Sequence, residues 1–387
     1  MSRVAGFDVI IIGAGSVGVP AALAMAEAGK QVLVLDRAAS QGQGSHKAAI
    51  GGVRATHSEP SKIRLCQRTL DIFSTWEERR GDNIEWQRGG YSFVAYRDEE
   101  ESALKSLLET QRAASLDIDW YDADALREII PDLNADGLRG GTFSPADGHC
   151  STLLAGHALY VHAQRAGARF HFREPVTRIL MKDGRVRGVE TPAGRYEADT
   201  IVNAAGAWAA EIGRTIGVSH PVSPDAHEAG ITEPVAPFLG PMIVDIRPLA
   251  GAGNCYFFQL RSGQVAFSLT PDPIVPGLKT DETSGFLPLA ARRMIRLVPR
   301  LAEIRVRRTW RGLYPMTPDG SPLVGWSESV EGYLIAVGMC GQGFMLGPGL
   351  GELLARMLPG VGLAAGDEEI LQDLSPYRRF SGSERLK

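Results

Sequence analysis

Phe7-Asp8-Val9-Ile10-Ile11-Ile12 runs directly into Gly13-Ala14-Gly15-Ser16-Val17-Gly18, and Ala21-Ala22-Leu23-Ala24-Met25-Ala26 follows before Gly29. An apolar run of strand length, a GxGxxG turn and a small-residue helix, in that order, open a dinucleotide-binding βαβ unit. The next apolar run, Val32-Leu33-Val34-Leu35, delivers Asp36, an acid placed to hold a ribose. Each part answers a chemical need: Gly13 makes the tight turn, Gly15 lets backbone approach a pyrophosphate, and Gly18 lets helix and sheet pack closely. The diphosphate then sits on the helix N-terminus, where unpaired N–H groups and the helix dipole favour negative charge. A GxGxxG alone is a weak signal. Strand, turn, helix, second strand and terminal acid in sequence make an incidental glycine-rich turn the poorer explanation.

Composition narrows the class. The chain has 387 residues, 44% hydrophobic and 22% charged, with net charge −4, which suits a globular protein of two domains and gives no basic surface for nucleic acid. The segment Met1 to Phe7 has no apolar h-region and no run reaches the ~20 apolar residues of a membrane helix, so a cytoplasmic location is expected. Cys66, Cys150, Cys255 and Cys340 are dispersed without a CxxC, and the eight histidines show no HExxH, so neither a disulfide framework nor a metal site is expected.

Further along, Gln41 to Gly52 reads as a Gly/Ser-rich loop and Pro60 to Arg80 as a helix, with Ile63, Leu70, Phe73 and Trp76 at helical spacing. Trp86 to Tyr96 reads as strands around Gly89-Gly90, and Glu99 to Leu116 as an exposed helix. Leu153 to Gln164 is a helix with Gly167 beyond its end. A hairpin turning at Pro192-Ala193-Gly194 leads into Thr200-Ile201-Val202-Asn203-Ala204-Ala205-Gly206-Ala207-Trp208, whose small residues bring bare backbone to the carboxyl edge of a sheet, where open α/β folds bind ligands. From His220 to Leu287 the sequence is β-rich, closed by a helix from Leu287 to Val298. The strand Gly332 to Gly338 empties into Met339-Cys340-Gly341-Gln342-Gly343-Phe344-Met345-Leu346-Gly347-Pro348, with a helix expected from Leu350 to Met357. The expected class is α/β: a Rossmann-type dinucleotide-binding domain from 1–85, 145–215 and 325–387, and an α+β domain with a large antiparallel sheet from 86–144 and 216–324.

These landmarks, with Gly44-Ser45-His46 leading to Arg54 and Arg308-Thr309-Trp310-Arg311-Gly312 leading to Thr317-Pro318-Asp319-Gly320, resemble the D-amino acid oxidase superfamily across Asp8 to about Leu358. Within it the chain is most similar to the branch of sarcosine oxidase, glycine oxidase and the β-subunit of dye-linked L-proline dehydrogenase. The resemblance implies a glutathione-reductase-like FAD domain and non-covalent FAD. It further implies oxidation of the C–N bond of a small amino acid or secondary amine, by hydride transfer to flavin N5 and hydrolysis of the resulting imine. Oxygen, a quinone or dye, or a partner protein would take the electrons. In agreement, the chain carries one full dinucleotide fingerprint, whereas an enzyme drawing electrons from NAD(P)H would usually carry a second.

Residue by residue, the resemblance assigns Gly13, Ala14, Gly15, Ser16, Val17, Gly18 and Asp36 to the adenosine diphosphate part, with Arg37 over the adenine. It assigns Gly44, Ser45, His46 and Lys47 to the ribityl and ring, Val176 to a backbone contact with adenine, and Gly206 and Trp208 to the strand end near the cofactor. Gly341, Gln342, Gly343, Phe344 and Met345 fall at the pyrimidine edge. For catalysis and substrate it points to Arg54, whose planar guanidinium suits a carboxylate, and to Tyr256, Tyr314, Gln342 and His227, with Glu228 and Trp310 behind them. A structural ion pair for Arg54 and core packing for the two tyrosines stand as alternatives. Gly312 occupies the place of the flavin-linking cysteine of monomeric sarcosine oxidase, and Gln342 replaces a histidine frequent in relatives. Two other functions fit the same residues: oxidation of a 2-hydroxy acid, with His227 as base, and an FAD-carrying subunit of a heteromeric amine dehydrogenase.

Overall fold

A computed structural model describes residues 6–381 and 384–386, so Met1 to Ala5 of the opening segment and residues 382, 383 and 387 lie outside the described residues. The chain divides into two compact units: residues 1–49, 152–224 and 314–383 form the first, and 50–151, 225–313 and 384–387 the second.

The first unit is built on a sheet whose central strands are buried on both faces, as the uninterrupted apolar runs require. In space the order is Leu323–Trp326, Tyr333–Val337, Gly194–Asn203, Gly6–Ile12, Val32–Asp36, Arg169–Phe172. Gly6–Ile12 pairs in parallel with both Gly194–Asn203 and Val32–Asp36. The hairpin Arg178–Lys182 and Arg185–Thr191 extends Gly194–Asn203 antiparallel. Helix Gly18–Glu27 packs against helices Thr152–Arg165 and Gly343–Arg356.

That last helix corrects the expectation of a start at Leu350: it begins at Gly343 and carries Pro348 inside it. The reason is close packing, since a Cβ on Gly347 would lie 1.8 Å from the Ser16 carbonyl oxygen and one on Gly351 2.7 Å from the backbone of Pro20. Contact between two helix backbones holds this turn in a conformation that its Gly/Pro composition disfavours.

The second unit carries an eight-stranded sheet in the order Val306–Met316, Ser223–Thr232, Val265–Pro271, Ala252–Gln259, Met242–Asp245, Tyr91–Ala95, Gly140–Ser144, Asp119–Asp122. From Ser223–Thr232 to Asp119–Asp122 neighbours pair antiparallel, except that Met242–Asp245 and Tyr91–Ala95 run parallel. Period-two alternation gives the sheet two apolar faces. Val94, Ile243, Phe257 and Phe267 lie against helix Phe286–Leu297, whereas Tyr91, Phe93, Val244, Tyr256 and Phe258 face the other way. The turn expected at Gly89-Gly90 is present, with φ +80° at Gly90; after it comes the strand Tyr91–Ala95, and before it Gln87 makes a single bridge to His149.

The division by contacts differs from the boundaries expected at 85, 145, 215 and 325. Residues 50–85, 145–151 and 384–386 cluster with the second unit: Gly52–Val53 pairs with Gly148–His149, and in helix Pro60–Ser74 the Gln67 side-chain amide donates to Ala114 O. Residues 216–224 and 314–324 cluster with the first, where His220 bonds the Tyr333 hydroxyl and Thr317 the Cys340 thiol. Composition does not mark these switches, because each is set by a partner remote in sequence.

Candidate functional site

In the first unit the glycine turn sorts its residues by function. Gly13 has φ +109°, and a Cβ there would lie 2.5 Å from Ala204 O; a Cβ on Gly18 would lie 1.8 Å from Gly13 O. These two glycines are required by packing. Gly15, Gly44 and Gly206 meet nothing within 4 Å, so they border open space that any side chain would fill. Val17 precedes the first helical residue, Gly18, and the turn therefore points helix N–H groups outward. Asp36 closes the second strand, where its Oδ2 accepts from the Ala14 N–H at 2.7 Å and its Oδ1 from the Ala38 N–H at 2.7 Å. The acid is thus held rigidly beside the turn.

His46, in the short 3₁₀ segment Ser45–Ala48, is buried with both ring nitrogens engaged: Nε2 lies 2.8 Å from Thr152 O and Nδ1 2.9 Å from Ser16 Oγ. Burial holds the imidazole below its ordinary pKa, against the raising effect of the Thr152 bond. The neutral ring therefore donates from Nε2 to the carbonyl and accepts at Nδ1 from the Ser16 hydroxyl. Glycines at 42 and 156 make room for the ring, since a Cβ on Gly156 would come within 2.2 Å of Nε2. Lys47 reaches outward to Gln43. Arg37 lies with Cζ 3.7 Å from the centre of the Trp208 ring, so the residue assigned to the adenine meets one assigned to the strand end near the cofactor. Val176 packs against the apolar core of this unit.

The chain's other glycine turn belongs to the same unit. Gly341, at φ +83°, lies against the Tyr314 ring, which a Cβ would meet at 2.1 Å. Tyr314 and the turn are thereby brought together. Gln342 precedes helix Gly343–Arg356 and is only 4% exposed, yet its Oε1 has no hydrogen-bond partner among the described residues. An orphaned buried acceptor beside a helix N-terminus invites a ligand donor. Phe344 meets the His46 ring edge to face at 5.7 Å, and Met345 is half-buried.

The second unit holds Arg54, Tyr256, His227, Glu228 and Trp310. Arg54 is buried over the Phe93 ring, and its guanidinium donates to the carbonyls of Thr56 and Leu386. Phe93, Val244 and Tyr256 are successive partners across three strands, so Arg54 and the half-buried Tyr256 address one sheet face. His227 Nε2 donates to Asp225 Oδ2 at 2.9 Å; burial raises the Asp225 carboxyl, but the His227 bond and backbone donors outweigh it and hold the group below its usual range. Glu228 is paired with Leu269 on the face opposite Tyr256, where it accepts from Thr283 N–H and Oγ1. Trp310 stacks under Arg308.

Around Arg54 lies a buried polar cluster that motif reading misses. Asp147 accepts from the Ala55 N–H at 2.8 Å and Thr56 Oγ1 at 2.6 Å, while burial pushes its carboxyl up to about 6. His57, pressed down to about 3 by burial and by Arg54, sits 3.4 Å from Cys66 Sγ. Lys62 and Glu384 form a fully buried pair at 2.7 Å. Lys62 was detectable: helical spacing from Pro60 sets it on the apolar face with Leu65, Cys66 and Thr69. Nothing in the sequence announces Glu384. Among the described residues no cluster of His, Cys, Asp and Glu could hold a metal ion, and no helix is long and apolar enough to cross a membrane.

The open glycines, the fixed Asp36 and the outward helix N-terminus have the shape and charge for FAD, and comparison with known proteins agrees. The family model of FAD dependent oxidoreductases, DAO, matches residues 8–357. The mitochondrial dimethylglycine dehydrogenase of Rattus norvegicus is 26% identical over 365 residues, 90% of this chain; the chain spans 42% of that relative's length. Glycine oxidase of Geobacillus kaustophilus is 26% identical over 378 residues, covering 96% of each chain. Among solved structures, L-proline dehydrogenase from P. horikoshii superposes with a TM-score of 0.88 at 27% identity, covering 96% of this chain and 97% of that one. With a fingerprint, a cradle and a family match that runs through 350 of its 387 residues (8 to 357), this chain belongs to the DAO family of FAD-dependent oxidoreductases.

Proposed function

We propose that this chain oxidises the carbon–nitrogen bond of a small amino acid or secondary amine that bears a carboxylate. The observation carrying this reading is the placement of the buried Arg54 guanidinium and the half-buried Tyr256 on one apolar sheet face. Glycine, dimethylglycine and L-proline, the compounds named in the three relatives, share an amine one carbon from a carboxylate. A planar guanidinium binds such a carboxylate through two parallel, charge-assisted hydrogen bonds.

FAD, when bound, supplies the two-electron acceptor. Gly13 to Gly18 and Asp36 would hold its adenosine diphosphate, Gly44 to Lys47 and Gly206 to Trp208 its middle, and Gly341 to Met345 its ring edge. Arg54 fixes the carboxylate, and the Tyr256 hydroxyl orients the substrate beside it. The N-terminus of helix Gly343–Arg356 favours anionic charge, and Gln342 Oε1 would accept a hydrogen bond from the bound group. The His227–Asp225 pair is the base that a 2-hydroxy acid would require.

Anaerobic mixing of the FAD-loaded protein with glycine, N,N-dimethylglycine, L-proline and lactate separates the readings. At least one amine bleaches the flavin absorbance, His227→Ala retains that reaction, and Arg54→Met raises KM about 100-fold, as loss of a charge-assisted bidentate contact implies. Bleaching by lactate alone, or by none of the four, overturns the proposal.

A further inference from the structure

Glu384, Arg385 and Leu386 enter the same cluster as Arg54 from the far end of the chain. The Glu384 carboxylate meets Lys62 Nζ at 2.7 Å and accepts from the Ser58 N–H at 3.0 Å and Ser58 Oγ at 2.8 Å, with His57 Nδ1 at 3.7 Å. The Arg385 N–H donates to Ser58 Oγ at 3.2 Å. The Leu386 carbonyl takes the Arg54 guanidinium, and its side chain, 1% exposed, packs into the cluster of Tyr91, Phe93, Met242 and Phe258 that also borders Tyr256. These three residues therefore present a carbonyl oxygen to the cation and an apolar group to the sheet, the same two contacts that a carboxylate-bearing substrate would make.

We propose that Glu384–Leu386 is an internal strap over the Arg54 subsite, which holds the guanidinium in the resting protein and yields it to a substrate carboxylate. The inference rests on the reading of Arg54 given above. A neutral carbonyl is a weaker partner for a guanidinium than a carboxylate, which adds charge and a second parallel hydrogen bond. The carboxylate therefore displaces the strap, at an apparent affinity lowered by the fraction of time the strap stays closed. Lys62 and Ser58 tether the segment at Glu384, so among the described residues displacement moves Arg385 and Leu386.

The test uses the FAD-loaded protein and cyclohexanecarboxylate, which has no carbon–nitrogen bond to oxidise, with equilibrium dialysis as readout. A chain shortened to end before Glu384 binds it at least about fivefold more tightly than the full chain, and Leu386→Gly moves Kd in the same direction. In the full chain, saturating cyclohexanecarboxylate accelerates hydrogen exchange at the Arg385 and Leu386 amides about tenfold. Unchanged or weaker binding by Leu386→Gly, or amides that stay protected while the carboxylate is bound, overturns the strap, as does failure of the probe to bind either form. Because dialysis does not depend on turnover, these outcomes are separate from a failure of amine oxidation, which the bleaching experiment reports.

Discussion

His46 in the first unit and Arg54 in the second stand eight positions apart in the chain (54 − 46), and their surroundings are opposite in kind. Around His46 the polar atoms are few and neutral: a hydroxyl, a carbonyl and an uncharged imidazole that wedges the glycine turn against helix Thr152–Arg165. The turn it supports leaves Gly15, Gly44 and Gly206 open. Around Arg54 the groups are charged and mutually engaged, Asp147 and the Lys62–Glu384 pair among them, and the guanidinium itself is taken by backbone carbonyls. The cofactor end is preorganised by geometry, because the folded backbone fixes the direction of its N–H groups and helix dipoles. The Arg54 cluster must keep a buried charge satisfied at all times, and it does so with its own chain.

The largest test of this contrast is Gly18→Val. A side chain at a position where even a Cβ would lie 1.8 Å from Gly13 O must displace backbone, so FAD binding falls by more than about 100-fold, measured as the flavin-to-protein absorbance ratio. Normal FAD content in that variant would mean the turn is not preorganised.

Acid sharpens the comparison at smaller scale. In the first unit His220, which accepts from the Tyr333 hydroxyl at 2.9 Å, is pressed down to about 4 by burial, so the folded state excludes a proton that the unfolded state binds near 6.5. Its contribution is full above pH 6.5 and is lost as pH falls toward 4, about 2 kcal/mol between pH 6.5 and 4.5. In the second unit His57 and His149, pressed down to about 3 and about 4, act in the same direction. Asp147 opposes them, because its folded carboxyl takes a proton near pH 6 and the unfolded one only near 3.8. Unfolding midpoints against pH for the natural chain and His220→Gln check the sign: the variant loses part of the acid slope. A slope that steepens in the variant would contradict it.

The smallest effect is Ser16→Ala. Loss of the hydroxyl that donates to His46 Nδ1 costs about 1 kcal/mol in urea unfolding, since the neutral ring nitrogen left behind is a weak buried acceptor. A cost of several kcal/mol would show that His46 is charged.

The opening βαβ unit was legible because every requirement in it is local: apolar runs of strand length, a turn needing φ +109° at Gly13, an acid at the end of the next strand. The hairpin of Arg185–Thr191 and Gly194–Asn203 was legible through its Pro192-Ala193-Gly194 turn, and the helix Phe286–Leu297 lies within one residue of the expected Leu287 to Val298. The start of the last long helix at Gly343 was not, because its glycines and Pro348 signal a turn until Ser16 and Pro20 are known to lie against them. The site divides in the same way. Gly13 to Gly18 and Asp36 carry their role in spacing, whereas Glu228, beside His227 in the chain, faces away from Tyr256 and could be sorted only by strand register.

Taken alone, the order of residues determined a dinucleotide cradle and the family to which it belongs, because φ preferences and period-two or helical patterns act over a few neighbours. Tertiary structure decided which side chains share the sheet face of Tyr256 and which carbonyls take Arg54. Its partner Leu386 lies 332 positions away, and a contact of that span is selected by burial and by the need to satisfy a desolvated charge, neither of which leaves a local signature.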